Sequence, residues 1–432
     1  MNKKIHILMV PSDLQGVGHF RNIWAAQSIQ KNFSDEFEVD INHQVKFNDY
    51  DALSKYDIIH FHRQFGPFEE FPKVAEELKK RGVITIMDID DYWQPPTTHP
   101  LYEIAKAEKY PEKILNNIKH AEYITTTTTT FKKYIEAYNK NVYVIPNALD
   151  MNHKMWSSPL QKNLTDKCRI SWIGGSSHLH DLNLLDQSMQ KLNHSPDLKD
   201  KFQIIMCGFD TRGTVTQLGA NNEKTTRKIK PHETIWCNFE KIFTSNYELL
   251  KDDEEYVKWL KKIKKEQYPE EYTKNFVRRW TLPLTQYGKH YDYCDVCLAP
   301  LKRTETYKEL PGGEIVAIID PRKGTIKTRP HYFNEVKSEL KLIESGMKKK
   351  VLIAENFGIC KELIKNGETG ILVENSKKDW YKAMRKVIND PGYRNALAEN
   401  LHNFVKDKYE ITSVTKDRLN IYKEILKQKK IC

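Results

Sequence analysis

The stretch FNEVKSELKLIESGMKKKVLIAENFG, Phe333 to Gly358, decides how this chain is read. A polar Lys337–Ser338 pair opens an amphipathic helix, Glu344 closes its third turn, and a buried strand follows. Such a helix start offers free backbone N–H groups and a positive dipole end to an anion, with a lysine and a hydroxyl beside them. Glu344 stands about two turns on, within reach of a sugar hydroxyl next to that anion. The segment suits a nucleoside diphosphate joined to a sugar.

Working outward, the same exchange of helix and buried strand recurs along the chain. IHILMV (5–10), YDIIHFH (56–62), VITIMDI (83–89), YITTTT (123–128) and VYVIP (142–146) are short apolar or β-branched runs. Helical patterns such as Phe71 to Lys80 and Pro111 to His120 lie between several of them. That alternation predicts parallel βαβ units in a doubly wound sheet. Turn and polar residues break it from Asn147 to Lys167, and it restarts with RISWIGG (169–175), FQIIMCGFD (202–210), YCDVCLAPL (293–301), KVLIAEN (350–356) and TGILVE (369–374). Two α/β halves follow, predicted as residues 1–155 and 165–410, with residues 411–432 as a terminal helix marked by Val414, Ile421, Tyr422 and Ile425. Two insertions interrupt the second half. The first, 211–287, is polar and partly helical, with Tyr256, Leu260 and Ile263 at helical spacing and a basic, aromatic end, FVRRW. The second, 302–330, contains EIVAII-DPRKG-TIKTR and reads as a hairpin.

The bulk properties agree with two globular domains: 432 residues, 39% apolar, 29% charged, with 22 Tyr, 17 Phe and 8 Trp to fill large cores. The net charge of +11 favours anionic partners such as phosphorylated substrates, acidic polymers or a membrane face. RNA-recognition and zinc-finger spacings are lacking, so nucleic acid is not expected as a partner. No run approaches the ~20 apolar residues that span a bilayer, and MNKKIHILMV reads as a first strand, not a leader. The seven cysteines are scattered; Cys294 and Cys297 read as small hydrophobes beside a strand, and the expected compartment is reducing and cytoplasmic.

In open parallel sheets ligands bind beyond the carboxyl ends of the strands, which directs attention to the loops there. After the first strand, Gly16 and Gly18 let backbone approach a ligand and Arg21 sits in the next helix, although Arg21 holds the place of a third glycine. HFHRQFGPF puts His60 and His62 on one strand face, and His62 is expected to turn to a ligand, with no third group that would make a metal site. MDIDDYW gathers Asp88, Asp90 and Asp91; their mutual repulsion demands a partner or a bound hydroxyl, so an acceptor-orienting or basic role is expected. The threonine run 125–130 reads as strand and helix cap. In WIGGSSHLHDL, Gly174, Gly175, Ser176 and Ser177 form a strand-to-helix turn able to cradle a phosphate, followed by His180 and Asp181.

Taken together, GVGHFR, DIIHFH, DIDDYW, VIPNALD, WIGGSSHLHDL, LAPL, FNEVKSELKLIE and GETGILV resemble, in order and over nearly the whole chain, the family-4 glycosyltransferases of the GT-B fold, in particular a bacterial and phage-type subgroup. The resemblance implies two Rossmann-like domains facing across a cleft, acceptor on the first and nucleotide-sugar donor on the second. It further implies transfer with retention of anomeric configuration and no required cofactor or metal. By position, Glu344 resembles the glutamate that binds the donor ribose, His62 the histidine near the donor sugar, and Gly174–Gly175 the turn at the diphosphate. The sequence departs from the family at three points. The first glutamate of the family pair falls on Val336, with Glu335 one place away. The arginine and lysine expected after the glycine turn are replaced by Ser176 and His180. Lys337, or Arg278 and Arg279, would then supply the positive charge.

The reading is therefore a transferase acting on a glycan, lipid-linked or polysaccharide acceptor. His62, Asp90, Asp91 and Lys337 are its expected catalytic residues, and Gly174, Gly175, Ser176, Lys337, Ser338 and Glu344 its donor contacts. Gly16, Gly18, Arg21, Asp88, Arg278 and Arg279 are additional acceptor or phosphate contacts. Two rivals share the fold: a sugar-nucleotide epimerase, and a binding protein with a degenerate site. The basic C-terminal KQKKIC would suit peripheral contact with the inner face of a membrane, as would the surplus of lysine.

Overall fold

The computed structural model describes residues 3–157, 166–210, 214–218, 224–230, 233–245 and 275–431. Tyr256, Leu260 and Ile263, read as part of a helical insertion, lie outside them. The first domain is a six-stranded parallel sheet of β1 (Ile5–Val10), β2 (Phe37–Ile41), β3 (Ile58–His62), β4 (Ile84–Ile89), β5 (Tyr123–Thr126) and β6 (Val142–Val144), in the order β2-β1-β3-β4-β5-β6. Strands covered on both faces need apolar side chains at successive positions. Thus Ile7 and Met9 of β1 join one core with Ala26, Ile29, Ile58 and Ile84, while Leu8 and Val10 join the other with Ile59, Phe61, Phe71 and Met87.

The second domain repeats the plan. β7 (Cys168–Ile173), β8 (Phe202–Phe209), β11 (Phe276–Trp280), β12 (Val296–Ala299), β16 (Val351–Glu355) and β17 (Ile371–Val373) form a second sheet, ordered β11-β8-β7-β12-β16-β17 and parallel at each described pairing. A small hairpin, β9 (Thr214–Leu218) with β10 (Lys224–Lys228), follows β8. The α/β architecture of two Rossmann-like sheets agrees with the sequence reading.

Two features of the insertions differ from expectation. FVRRW is not the tail of an insertion but edge strand β11, parallel to β8. The helix Ile235–Thr244 before it buries Trp236, Phe239 and Phe243 in the second core. The second insertion carries three strands, β13 (Thr304–Glu309), β14 (Ile315–Val316) and β15 (Thr325–Pro330), in the order β14-β13-β15. It reaches the first domain: the Thr97 amide donates to Glu305, and the Tyr102 hydroxyl donates to the Ile315 carbonyl.

The long helix Ile411–Ile431 returns to the first sheet, where Leu419, Tyr422 and Ile425 close the core over Ile7, Met9 and Ile29. Among the described residues, no helix is long and apolar enough to cross a membrane.

Candidate active site

The carboxyl ends of the two sheets look toward each other across a cleft. Its cavity, about 390 Å³, is lined from the first domain by Gly16, Phe20, Asp90, Asp91 and Asn147 and from the second by His178, Lys337, Ser338, Lys341 and Glu344, among others. A second cavity, about 620 Å³, lies at the ends of β7 and β8 against Gly174, Gly175, Ser176, Gly208 and His290. His178, Tyr287 and Lys341 line both. Gly208 has φ +98°, and a Cβ there would collide with the Gly174 carbonyl, so these two strand ends approach as closely as backbone allows.

The loop after β1 is built around Asp13. Its Oδ1 accepts from the Gln15 amide (2.7 Å) and the Gly18 amide (3.2 Å), and a Cβ on Gly18 would collide with the Asp13 carbonyl. These amides are thus taken up internally, and Gly16 is the glycine that faces the cleft. A π-turn over His19–Ile23 follows. It aims Phe20 at the cavity and Arg21 into the protein.

Arg21 and Asp88, expected as ligand contacts, instead hold each other. The buried guanidinium donates from Nε and Nη2 to the two Asp88 oxygens (2.8 Å each) and from Nη1 to Asn147 Oδ1 (3.1 Å). Burial alone would raise the Asp88 pKa, but Arg21 outweighs it and keeps the carboxylate ionised far below its usual range. Asp88 Oδ1 also accepts from Thr125 (2.6 Å). With that hydrogen committed, Thr125 Oγ1 accepts from His60 Nε2 (3.0 Å). His60 Nδ1 is then the acceptor for the Tyr422 hydroxyl (2.5 Å) and Arg418 Nη1 (3.1 Å) of the C-terminal helix. Burial and the nearby Arg418 push His60 down to about 3, consistent with this neutral tautomer.

His62 is also paired on both sides: Nδ1 lies 2.8 Å from Ser12 Oγ and Nε2 lies 2.9 Å from Asp90 Oδ1. The expectation that it faces a ligand is corrected. At the end of β3 it is buried behind Asp90 and orients that carboxylate. Arg63, at φ 56°, donates to Asp90 (2.7 Å) and reaches Asp91 (3.5 Å). Burial would raise Asp90, yet Arg63 and His62 together hold it well below the usual carboxylate range. Asp90 is a fixed anion at the cavity wall.

On the opposite wall, the helix does not open at Lys337–Ser338. A short helix, Tyr332–Glu335, stops first, and the main helix is Leu340–Met347. Val336 is the reason: it is fully buried in the first domain's core, so the chain turns there to reach across. Lys337 and Ser338 line the cavity from the connecting loop, with the Lys337 ammonium 4.6 Å from the Phe333 ring centre and in no ion pair among the described residues. Glu335 faces away, accepting from Tyr134 (2.8 Å). Glu344 lies under the cavity, accepting from Tyr291 (2.5 Å) with Lys341 at 3.6 Å. Burial raises its pKa against the pull of Lys341.

Sequence reasoning passed over Lys341. Its ammonium donates to Tyr287 (2.9 Å) and stands where the two cavities meet. Burial would lower its pKa, but Tyr287 and Glu344 hold it above the usual lysine value, so it is positively charged. Lysine four residues after Lys337 and three before Glu344 was the available signal. Arg278 and Arg279 do not reach either cavity. They sit on edge strand β11, where Arg278 is buried against Glu240 and under the Phe209 ring, and Arg279 lies 3.4 Å from the Tyr293 ring centre.

Asp181 joins the site's framework. It accepts from Asn334 (2.8 Å) and the Lys302 amide (2.7 Å) and pairs with His178 (2.9 Å), which tie the helix after the glycine turn to the segment before Lys337. Among the described residues, no group of three His, Cys, Asp or Glu side chains is arranged to hold a metal ion. Cys294 and Cys297 are buried, with their sulfurs 3.6 Å apart.

Two facing Rossmann-like sheets with a cleft at their carboxyl ends define the GT-B fold. The solved structures similar to this chain share it. They include a glycosyltransferase from Rickettsia africae (TM-score 0.57, 14% identity, 99% of this chain and 100% of the other). Anabaena HepE in complex with UDP and glucose gives a TM-score of 0.56 at 9% identity, covering 98% and 100%. Sucrose-phosphate synthase from Thermosynechococcus elongatus gives 0.55 at 12%, covering 99% and 100%. No protein-family model matches the sequence, and no curated protein matches it.

Proposed function

We propose that this protein is a glycosyltransferase that moves a sugar from a nucleoside diphosphate to an acceptor hydroxyl, with retention of configuration. One observation carries the reading: a charged Lys341 at the junction of two cavities, facing Asp90 and Asp91 across the cleft. The similar Anabaena structure holds UDP and glucose, which supports a nucleotide-sugar donor here.

In the reaction, the acceptor oxygen bonds to the anomeric carbon as the bond from that carbon to the phosphate oxygen breaks. The electron pair leaves with the diphosphate, and the acceptor proton follows onto the leaving phosphate oxygen. Lys341 and Lys337 stabilise the charge that grows there, the largest lever available to such a site. The Gly174–Ser176 turn, beside Lys341 in the second cavity, flanks the donor. Asp90, with so low a pKa, is a weak base; its role is to accept a hydrogen bond from the acceptor hydroxyl and aim it. Glu344, already bound to Tyr291, fixes the helix under the donor and presents its carboxylate to the ribose.

The test is a thermal-shift panel of UDP-, GDP-, ADP-, dTDP- and CMP-sugars, without metal and with Mg²⁺, followed by turnover of the donor that binds. Stabilisation by one nucleotide and transfer lost in Lys341→Ala is the expected result. Binding without turnover under any acceptor would leave a nucleotide-binding protein, and no binding at all would refute the donor site. The epimerase alternative predicts conversion of the donor sugar with no acceptor present.

A further inference from the structure

Eight large apolar side chains are well exposed among the described residues, and five of them sit on two elements that touch. Leu101 (55% exposed) and Ile104 (56%) belong to the start of the helix Tyr102–Ala107, while Ile318 (40%), Ile319 (88%) and Ile326 (61%) belong to the second insertion. The two are bound together: Tyr102 and Lys106 both donate to the Ile315 carbonyl (3.0 Å each), and Lys106 pairs with Glu314 (2.6 Å). The result is one apolar ridge contributed by both domains.

Cations are interleaved with it. Arg322 and Lys323 lie between Ile319 and Ile326, and Lys327 follows directly. Arg322 pairs with Asp320 and Glu314 and Lys327 with Glu309, and residues 302–330 keep a basic surplus of seven side chains against four acidic ones. The surface of the outer strand β15 is exposed along nearly its whole length. Addition of a protein strand to that edge is disfavoured by Lys327, Arg329 and Pro330, the residue types that blunt sheet edges. Isolated isoleucines set among lysine and arginine are instead the chemistry of a bilayer interface carrying anionic lipid.

We propose that this ridge docks the protein on an anionic lipid bilayer. The C-terminal helix does not supply this surface, because its apolar face is buried against the first sheet. Leu301 lines the cleft cavity and the insertion starts at the next residue, so a docked ridge places the cleft beside the membrane. An acceptor on a lipid carrier follows from that placement, and this clause alone rests on the transferase reading.

Flotation of the full chain with phosphatidylcholine vesicles, with and without phosphatidylglycerol, tests the docking without any donor. The wild type is expected to float with the anionic vesicles and not with the neutral ones. Ile319→Glu/Ile326→Glu should reduce its recovery by about ten-fold or more with an unchanged melting temperature and unchanged donor binding. Lys323→Glu should reduce it by a smaller factor. A wild type that stays at the bottom of the gradient, or a double variant that floats equally well, overturns the proposal. So does light scattering showing a dimer that the double variant breaks, because the ridge would then be covered by a second copy.

Discussion

Lys341 and Lys337 are distinguished by what surrounds them. Lys341 is held by Tyr287 and Glu344, while Lys337 rests on an aromatic ring. Lys341→Ala should therefore lower turnover about a hundred-fold or more, as loss of a preorganised charge does, with Lys337→Ala costing less. Steady-state kinetics on the donor identified by the panel would show this; wild-type turnover in Lys341→Ala would remove that residue from the site. Asp90→Asn should raise the acceptor KM while sparing donor hydrolysis. At this scale the sequence was legible for residues at loop tips and misleading for those at strand ends. Asp90, Asp91, Gly16 and Lys337 do line the cleft. Arg21, Asp88 and His62 looked like ligands because they are polar and lie beside strand termini, yet each finds its partner in a distant segment, such as Asn147 or Ser12, that spacing does not reveal.

At the scale of elements, the late start of the helix Leu340–Met347 leaves Glu339 at its N-terminal boundary, fully buried against the first domain. One oxygen accepts from the Asn147 amide (2.5 Å), and the other has no hydrogen-bond partner. Burial lifts its pKa to about 7, opposed by that amide and by Arg21. A carboxyl raised in the folded state binds its proton more tightly there than in the unfolded chain. Its contribution is therefore fully present at low pH and is lost as pH rises from about 4.5 through about 7. Glu339→Gln should leave the melting temperature unchanged near pH 4 and raise it above pH 7; a parallel shift at all pH values would refute this linkage. Nothing in the sequence announced it, since a glutamate before a helix ordinarily faces water. The strands were plainer, because a sheet covered on both faces writes itself as unbroken apolar runs. β11 escaped that rule: as an edge strand with two arginines it has the composition of a surface segment.

For the molecule as a whole, the connection between domains is made twice, at residues 147–157 and again at 405–411, where Leu149 and Ile411 exchange backbone hydrogen bonds with Tyr409 and Leu149. The two-domain plan was legible because the alternation stops and restarts; the buried network that clasps the last helix was not, since His60 and Tyr422 lie 362 residues apart. Tyr422→Phe should cost about 1 kcal/mol, the net worth of one buried hydrogen bond when Arg418 still donates to His60. A lower urea midpoint with an unchanged slope would show it. Removing residues 411–432 should do far more, baring Ile7, Met9 and Ile29, and soluble yield would report it.

That clasp also sets a timetable for synthesis. The first sheet leaves the ribosome early, but one of its two faces, covered in part by the helix bearing Ala26 and Ile29, is not closed until Leu419, Tyr422 and Ile425 emerge, after the entire second domain. The first half of the chain must therefore wait, partly open, while the second half is being translated, and it is the half that needs a chaperone's attention.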